Sequence, residues 1–230
     1  MKYLGITMIT VLPVFFYFYL FDHRPAPSEP DTSLLWGVDM SHHQGSVDWE
    51  EISKENPAFL IMKASEGSTF TDPRFRSNLK SAENKGIPVG AYHFFSYSSS
   101  GKAQAKHFLD VVGEDAECRL LVLDVEYRRN MYQMTNISKE ISDFMNLVKE
   151  RTGKYPMIYS ECSYYNRYLR PRFQNSLDRW ICEFGRKPSC DHVIHQVTDR
   201  KRVSGYNGFV DYNEFTGSKE KFAELFLPCN

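Results

Sequence analysis

The stretch Leu120-Leu121-Val122-Leu123-Asp124-Val125-Glu126 runs from aliphatic residues directly into two carboxylates spaced two apart. Such an apolar run is typical of a buried strand, and side chains two apart on a strand point to the same face. We therefore expect Asp124 and Glu126 to stand side by side at a strand end. Two negative charges this close should make one of them hold its proton near neutral pH, which pairs an acid with a base. Solvated or ion-paired acids would give the same pattern.

Alternating strand and helix patterns extend on both sides of this stretch. Strands are predicted at 34–40, 58–64, 89–95, 120–126, 156–159, 179–184, 192–197 and 208–210, and helices at 49–56, 74–85, 102–112, 137–151 and 219–226. Repeated strand–helix units favour a parallel sheet. About eight strands, with fewer helices in the second half, predict an α/β fold, a modified TIM-like β/α barrel. An open doubly wound sheet is the alternative.

The first 33 residues do not follow this pattern. Residues 3–21 carry no charge, and as a helix they would span roughly 28 Å, close to the ~30 Å thickness of the hydrocarbon core of a bilayer. We expect residues 1–22 to be an N-terminal transmembrane anchor, because the prolines and Arg24 near Ala26 make a poor cleavage site. Residues 23–33 then form a Pro-rich linker, and 34–230 an extracytoplasmic domain that would be secreted if the segment were cleaved.

Composition limits the classes of function. The chain has 230 residues, 42% of them hydrophobic, which is enough for one sizeable core. A formal net charge of −1 gives no basic surplus for nucleic-acid binding. Neither a phosphate-binding glycine loop nor the turn of a serine nucleophile occurs. The odd number of cysteines excludes complete internal pairing, and Cys182–Cys190 and Cys190–Cys229 are the candidate disulfides.

The histidines do not have the spacing of a metal site. His42 and His43 would point apart in an extended segment, and His93 and His195 have no H-x-H or H-E-x-x-H pattern around them. We therefore expect neither a metal ion nor an organic cofactor.

Polar side chains recur where the predicted strands end. Asp39, Glu66, His93, Glu126 and Asp211 lie at or just beyond C-terminal strand ends, the face on which barrel enzymes build their sites. Each aspartate alone could equally cap a turn. Together they predict a carboxylate-lined cleft with aromatic neighbours. Such a cleft suits glycoside hydrolysis, in which one acid protonates the leaving oxygen and another carboxylate supports an oxocarbenium-like centre.

An ordered set of sequence blocks from about Gly37 to Phe215 resembles glycoside hydrolase family 25, the Chalaropsis-type lysozymes. The blocks are GVDMSHHQG (37–45), VDW (47–49), FLIMKASEG (59–67), GAYHFF (90–95), LDVE (123–126), PMIY (156–159), WI (180–181) and VDYN (210–213). No single block is specific, whereas the ordered set is.

The resemblance implies a modified β/α barrel that hydrolyses the β-1,4 bond after N-acetylmuramic acid in peptidoglycan. By similarity Glu126 is the catalytic acid, Asp124 tunes its charge state, and Asp39 and Asp211 complete an acidic mouth. The side chains expected to line the substrate groove are Tyr92, His93, Tyr159, Trp180 and Gln196. We expect a monomer whose partners are glycan strands and, through its anchor, the membrane.

Two positions depart from the family pattern. His43 stands where the first block often has Trp, and His195 begins a block that often reads Trp-Gln-Tyr. Losing these aromatics would alter a sugar subsite. A non-catalytic glycan-binding barrel, or a glycosidase acting on another acetylated glycan such as chitin, are therefore the alternatives. The choice between retention and inversion depends on the carboxylate separation, which the sequence does not give.

Overall fold

In a computed structural model, which describes residues 33–174 and 176–227, the strands close into a barrel. The strands are β1 (Leu35–Met40), β2 (Phe59–Glu66), β3 (Phe70–Thr71), β4 (Val89–Phe94), β5 (Leu121–Asp124), β6 (Met157–Ser160), β7 (Arg179–Cys182), β8 (Ile194–Lys201) and β9 (Val210–Phe215). Their order is β1-β9-β8-β7-β6-β5-β4-β2, and pairing of β1 with β2 closes the ring. The short β3 adds to the end of β2. The predicted barrel is confirmed, and the open sheet is excluded.

Most helices pack around this ring, and the last one contributes Leu225 and Phe226 to the apolar cluster within it. The helices are α1 (Trp49–Lys54), α2 (Phe75–Glu83), α3 (Gly101–Val112), α4 (Ile137–Thr152), α5 (Cys162–Tyr164), α6 (Arg170–Phe173) and α7 (Lys219–Phe226), with a π-helical turn at Tyr165–Leu169 and 3₁₀ turns at His42–Gln44, Gly113–Cys118 and Met131–Gln133. The longest two begin after capping side chains, Ser100 for α3 and Asn136 for α4. All five predicted helices are present. The segment from α5 to α6 was not predicted because its short pieces have no sustained period.

The direction of β9 differs from the sequence prediction of a parallel sheet. It runs antiparallel to both β1 and β8, because the short connection from β8 contains no helix and the chain must turn back. The start of β9 therefore meets the end of β1, and Asp211 pairs in register with Asp39. Asp211 thus lies near the beginning of its strand, not beyond the end of a strand at 208–210.

Alternation along the strands separates two apolar layers. In β2, Phe59 and Ile61 join the cluster inside the barrel, whereas Leu60 and Met62 belong to the cluster between the strands and the helices. Trp180 is the largest buried side chain of the inner cluster. The inner layer packs the interior of the barrel with apolar side chains.

One disulfide connects α5 to the segment that precedes β8. Cys162 is bonded to Cys190, so the two pairings of Cys190 proposed from the sequence are wrong. The spacing of cysteines along a chain does not show which of them the fold brings together. Cys182 is a free thiol on β7.

No helix within residues 33–174 and 176–227 is long and apolar enough to cross a membrane. The predicted anchor at 1–22 and nearly all of the linker at 23–33 lie outside the described residues.

The start of α3 packs closely against α4 at Gly101. A side chain on Gly101 would place its Cβ far inside van der Waals contact of the Glu140 carbonyl oxygen on α4. Although Ala normally stabilises a helix relative to Gly, we expect Gly101→Ala to lower the free energy of unfolding by about 2–4 kcal/mol. Urea denaturation measures this, with Lys102→Ala at the neighbouring exposed position as the control. Equal stability of the two variants would contradict the close packing.

Candidate active site

A cleft of about 830 Å³ opens at the mouth of the barrel. Every strand of the ring contributes a side chain to it. Its lining includes Asp39 from β1, Lys63 from β2, Tyr92 from β4, Asp124 from β5, Tyr159 from β6, Trp180 from β7, Gln196 from β8 and Asp211 from β9. The cleft is therefore a property of the closed barrel rather than of one loop.

Asp39 is buried at the end of β1 and is held by two amide groups. Its Oδ2 accepts hydrogen bonds from Gln196 Nε2 at 2.8 Å and from Asn213 Nδ2 at 2.9 Å. Burial, followed by the negative charge of Asp211, raises the pKa of Asp39 well above its usual range, whereas the two amides oppose this shift.

The same amides anchor the aromatic wall of the cleft. The Tyr159 hydroxyl donates to Gln196 Oε1 at 2.8 Å, and the Trp180 indole Nε1 donates to Asn213 Oδ1 at 2.7 Å. Tyr159 and Trp180 also pack edge to face, with ring centroids 4.5 Å apart. Asn213 was not predicted as a site residue, although its position two residues after Asp211 on one strand is the signal that could have found it.

Asp124 ends β5 and lacks the amide hydrogen bonds that hold Asp39. It is 8% exposed, and its buried Oδ1 has no hydrogen-bond partner among the described residues. Burial raises the pKa of Asp124 well above the usual value, and the charges of Glu126 and Asp39 add to the shift. A carboxyl group that keeps its proton in this way can donate a hydrogen bond into the cleft.

Glu126 lies two residues beyond the end of β5, not on the strand as the sequence predicted. The Val125 amide donates to the Tyr159 carbonyl at 3.0 Å, which keeps the chain beside β6 past Asp124. The Tyr97 hydroxyl donates to the backbone carbonyl of Glu126 at 2.6 Å. Both carboxylates consequently line the same cleft.

The charge state of Glu126 is set by opposing effects. Burial raises the pKa of its carboxyl, and the nearby Glu161 charge acts in the same direction. Arg128 lowers it, because the guanidinium Nη2 lies 3.2 Å from Glu126 Oε2. The result is a pKa above the ordinary value for glutamate.

Asp211 completes the set of carboxyl groups. Burial raises its pKa to about 6, with further contributions from the charges of Asp199 and Glu126. The structure therefore brings together Asp39, Asp124, Glu126 and Asp211, each with a raised pKa. Such an arrangement can supply protonated and ionised carboxyl groups in one cleft near neutral pH.

Comparison with known proteins agrees with this geometry. The sequence model of the family "Glycosyl hydrolases family 25" matches residues 38–206 of this chain. The chain belongs to this family. A protein named YegX from Escherichia coli O6:H1 is 33% identical over 225 residues, which are 92% of this chain and 82% of that protein. Lysozyme M1 from Streptomyces globisporus is 32% identical over 212 residues, covering 85% of this chain and 72% of that one.

A solved structure supports the same relationship. The bacterial lysozyme from Streptomyces coelicolor superimposes with a TM-score of 0.76 at 31% identity, covering 87% of this chain and all of that one (100%). The barrel and its mouth are therefore the family 25 architecture, and the chain is a glycoside hydrolase by family.

Four of the five side chains expected to line the groove of this family 25 hydrolase do so: Tyr92, Tyr159, Trp180 and Gln196. His93 does not. Neighbouring residues on a strand face opposite sides, so Tyr92 and Phe94 point into the cleft and His93 points out towards the helices.

His93 has a structural environment behind the barrel wall. Its ring packs against Phe108 and Phe144, with centroids 5.5 and 5.0 Å away. The Gln104 side-chain nitrogen donates to two backbone carbonyls, which fixes the orientation of the amide, so Gln104 Oε1 accepts from His93 Nε2 at 3.2 Å. With its Nε2 protonated, His93 accepts at Nδ1 from the Ser65 hydroxyl at 2.8 Å. Burial lowers the pKa of His93 to about 3, which keeps the ring neutral.

The two departures from the family pattern have different positions. His43 is exposed in the lining of the cleft, with its ring centroid 4.0 Å from that of His42. His195 is placed on the side of β8 opposite to Gln196, and its Nε2 contacts the Glu183 carbonyl oxygen at 2.8 Å. Only His43 therefore changes the surface that a ligand would meet. Within the described part of the chain, no three His, Cys, Asp or Glu side chains are arranged to hold a metal ion.

The raised pKa of Asp211 makes a prediction about stability. Its pKa of about 6 lies above the ~3.9 of an unfolded aspartate, so the folded state binds the proton more tightly and loses stability as pH rises through the folded pKa. We expect Asp211→Asn to be more stable than the parent by about 1–2 kcal/mol at pH 7.5, a figure reduced for partial solvent screening.

The difference in the free energy of unfolding between Asp211→Asn and the parent should shrink towards zero near pH 4, where the parent carboxyl is protonated in the folded state. Thermal and urea denaturation at both pH values measure it. Glu117→Gln, which changes an exposed acid, serves as the control. A variant Asp211→Asn that is less stable than the parent at pH 7.5 would contradict the desolvated setting of this carboxyl.

Proposed function

We propose that this protein is a lysozyme-type muramidase that hydrolyses the β-1,4 bond between N-acetylmuramic acid and N-acetylglucosamine in peptidoglycan. The convergence of four carboxyl groups with raised pKa values in one cleft carries the proposal. Membership of family 25 supports it, as do similar proteins named lysozyme. Binding alone has little use for clustered acids, because each buried carboxylate costs stability.

Glu126 is proposed as the general acid. It is partly buried, its pKa is raised, and its carboxyl lines the cleft. In the protonated form it donates its proton to the glycosidic oxygen, the bond from that oxygen to the anomeric carbon breaks, and the leaving sugar departs as an alcohol. Water then supplies the hydroxyl group of the new reducing end, and its proton returns a carboxylate to the acid form.

The other carboxyl groups are proposed to act on the sugar ring. Above its pKa of about 6, Asp211 is an anion that can stabilise positive charge near the anomeric carbon. Asp124 keeps its proton more strongly and can donate to the acetamido group. Asp39 is oriented by Gln196 and Asn213. We propose that Tyr92, Tyr159, Trp180 and Gln196 form the walls against which the glycan lies.

The location proposed for this activity is outside the cytoplasm. The Cys162–Cys190 disulfide supports it, because such bonds persist in oxidising compartments. We also propose the domain organisation expected from the sequence, with residues 1–22 as a membrane anchor, 23–33 as a linker and 34–230 as the hydrolase domain. Cell fractionation with and without residues 1–22 tests the anchor.

Removal of the proposed acid gives the principal test. We expect Glu126→Gln to fold normally and to lose about 10²- to 10⁴-fold in kcat on purified peptidoglycan, because the amide cannot deliver a proton. Glu150→Gln, an exposed change on α4, is the matched control and should keep the parent rate. A normal rate for Glu126→Gln would remove Glu126 from the acid role.

The same assay identifies the substrate. Mass analysis of products from peptidoglycan and from chitin oligomers distinguishes the possibilities. New reducing ends at muramic acid are the expected result. Cleavage of chitin alone would indicate the other glycosidase, and binding without products would indicate a glycan-binding module.

A further inference from the structure

Two cations stand at one edge of the otherwise acidic cleft, and both contact one aromatic ring. Lys63 Nζ lies 4.9 Å from the centroid of the Phe94 ring, and Arg128 Cζ lies 4.4 Å from it. Each cation also contacts a carboxylate, with Lys63 Nζ 2.6 Å from Glu66 Oε2 and Arg128 Nη2 3.2 Å from Glu126 Oε2. The proposed acid is therefore the partner of an arginine in the free protein.

The two cations differ in what they can still bind. The Lys63 side chain is only 8% exposed and lies against Glu66 at full ion-pair contact. The Arg128 side chain is 47% exposed. A guanidinium has five N–H donors in a planar fork, and Glu126 is the only carboxylate that Arg128 contacts within the described residues. Arg128 thus has donors available for a second, bidentate carboxylate.

We propose that Arg128 recognises a carboxylate on the substrate, and that this carboxylate draws the arginine away from Glu126. The inference rests on the proposed muramidase function. Muramic acid carries a lactyl ether whose carboxyl is free in peptide-free glycan and joined to a peptide stem in intact peptidoglycan, and the stem has carboxylates of its own. Chitin has no carboxylate. Arg128 is then a specificity-determining residue that separates these glycans.

The cleft makes such recognition local. Acidic side chains outnumber the cations Lys63 and Arg128 in the lining, so an anionic group on a sugar is disfavoured except where an available cation meets it. Only a carboxylate within reach of the scissile linkage can compete with Glu126 for the arginine. The recognised group must therefore belong to a sugar beside that linkage, or to its stem.

Recognition and acid catalysis are coupled through this exchange. In the free protein Arg128 lowers the pKa of Glu126. Once a substrate carboxylate neutralises the arginine, that effect is offset, and Glu126 holds its proton more strongly at the moment when it is needed. The other charges that act on Glu126 are Glu161 and Lys63, and the charge of Glu126 in turn raises the pKa values of Asp124 and Asp211; these groups remain in place. With a neutral glycan, Arg128 stays in contact with Glu126, and the pKa of Glu126 does not rise on binding.

The test compares Arg128→Gln, Arg128→Lys and the control Arg129→Gln, which changes a neighbouring exposed arginine outside the cleft lining. Two pairs of substrates separate the sources of the carboxylate. The first pair is peptide-free glycan strands with free or methylamidated lactyl groups, and the second is intact peptidoglycan with free or amidated stem carboxyls.

We expect the parent and Arg129→Gln to prefer the free carboxylate of one pair by roughly tenfold in kcat/KM, as for a lost charge-assisted hydrogen bond. Arg128→Gln should process both members of that pair equally, mainly through a higher KM for the charged one. Arg128→Lys should restore part of the preference. The pair that shows the effect identifies the lactyl or the stem carboxylate as the ligand.

The pH profiles supply a readout that a structural role would not change. In the parent, the basic limb of kcat/KM, which reports the free enzyme, should lie at lower pH than the basic limb of kcat, which reports the complex. In Arg128→Gln the limb of kcat/KM should move to higher pH and approach that of kcat. An unchanged limb would overturn the coupling.

Two further outcomes would overturn the recognition itself. One is an Arg128→Gln variant that keeps the parent preference in both pairs, and the other is an equal loss on charged and neutral substrates. These are separable from a failure of the proposed function. If Glu126→Gln stays active, the acid assignment fails whatever Arg128 does. If Glu126→Gln is inactive while Arg128→Gln behaves like the parent, only this inference fails.

Discussion

Pairing of β9 with β1 is the contact on which both the barrel and its cleft depend. It places the antiparallel β9 between β8 and β1, and its register sets Asp39 opposite Asp211. The same strand brings Asn213 against Asp39 and Trp180. Because side chains on a strand alternate, a slip of one residue would turn Asp211 and Asn213 away from the cleft together. Closure of the fold and assembly of the site are therefore one event.

The carboxyl groups at the mouth are chemically alike but are placed in unlike environments. Asp39 receives two amide hydrogen bonds, whereas Asp124 has a buried oxygen without a partner among the described residues. Asp211 is less buried, and its pKa of about 6 is lower than that of a fully desolvated acid would be. Differences in solvation and hydrogen bonding thus give one fold both proton donors and anions at one pH. The cost is stability, which the apolar layers of the barrel must offset.

Much of this arrangement could be predicted from the sequence, because a clear periodicity of hydrophobic residues shows where strands and helices lie. The pair Asp124 and Glu126 is visible as an apolar run that ends in acids, and the barrel follows from the repeated units. The outward direction of His93 could also have been predicted from the sequence, since neighbouring residues on a strand face opposite sides and His93 follows Tyr92. The direction of β9 and the disulfide partner of Cys190 could not be predicted from the sequence, because both depend on which distant segments meet in the fold. Arg128 was missed since a loop residue has no period.

The break between β5 and Glu126 has a physical reason. Asp124 stands on the strand and is 8% exposed, so its carboxyl is held in place and largely removed from solvent. Glu126 is past the last strand residue, its backbone carbonyl held by Tyr97 while 34% of its side chain remains exposed. A group that must give up a proton and recover it needs contact with both ligand and water, which a position inside the strand would deny. The strand therefore positions the pair, and the end of the strand lets only one of its members exchange protons and partners.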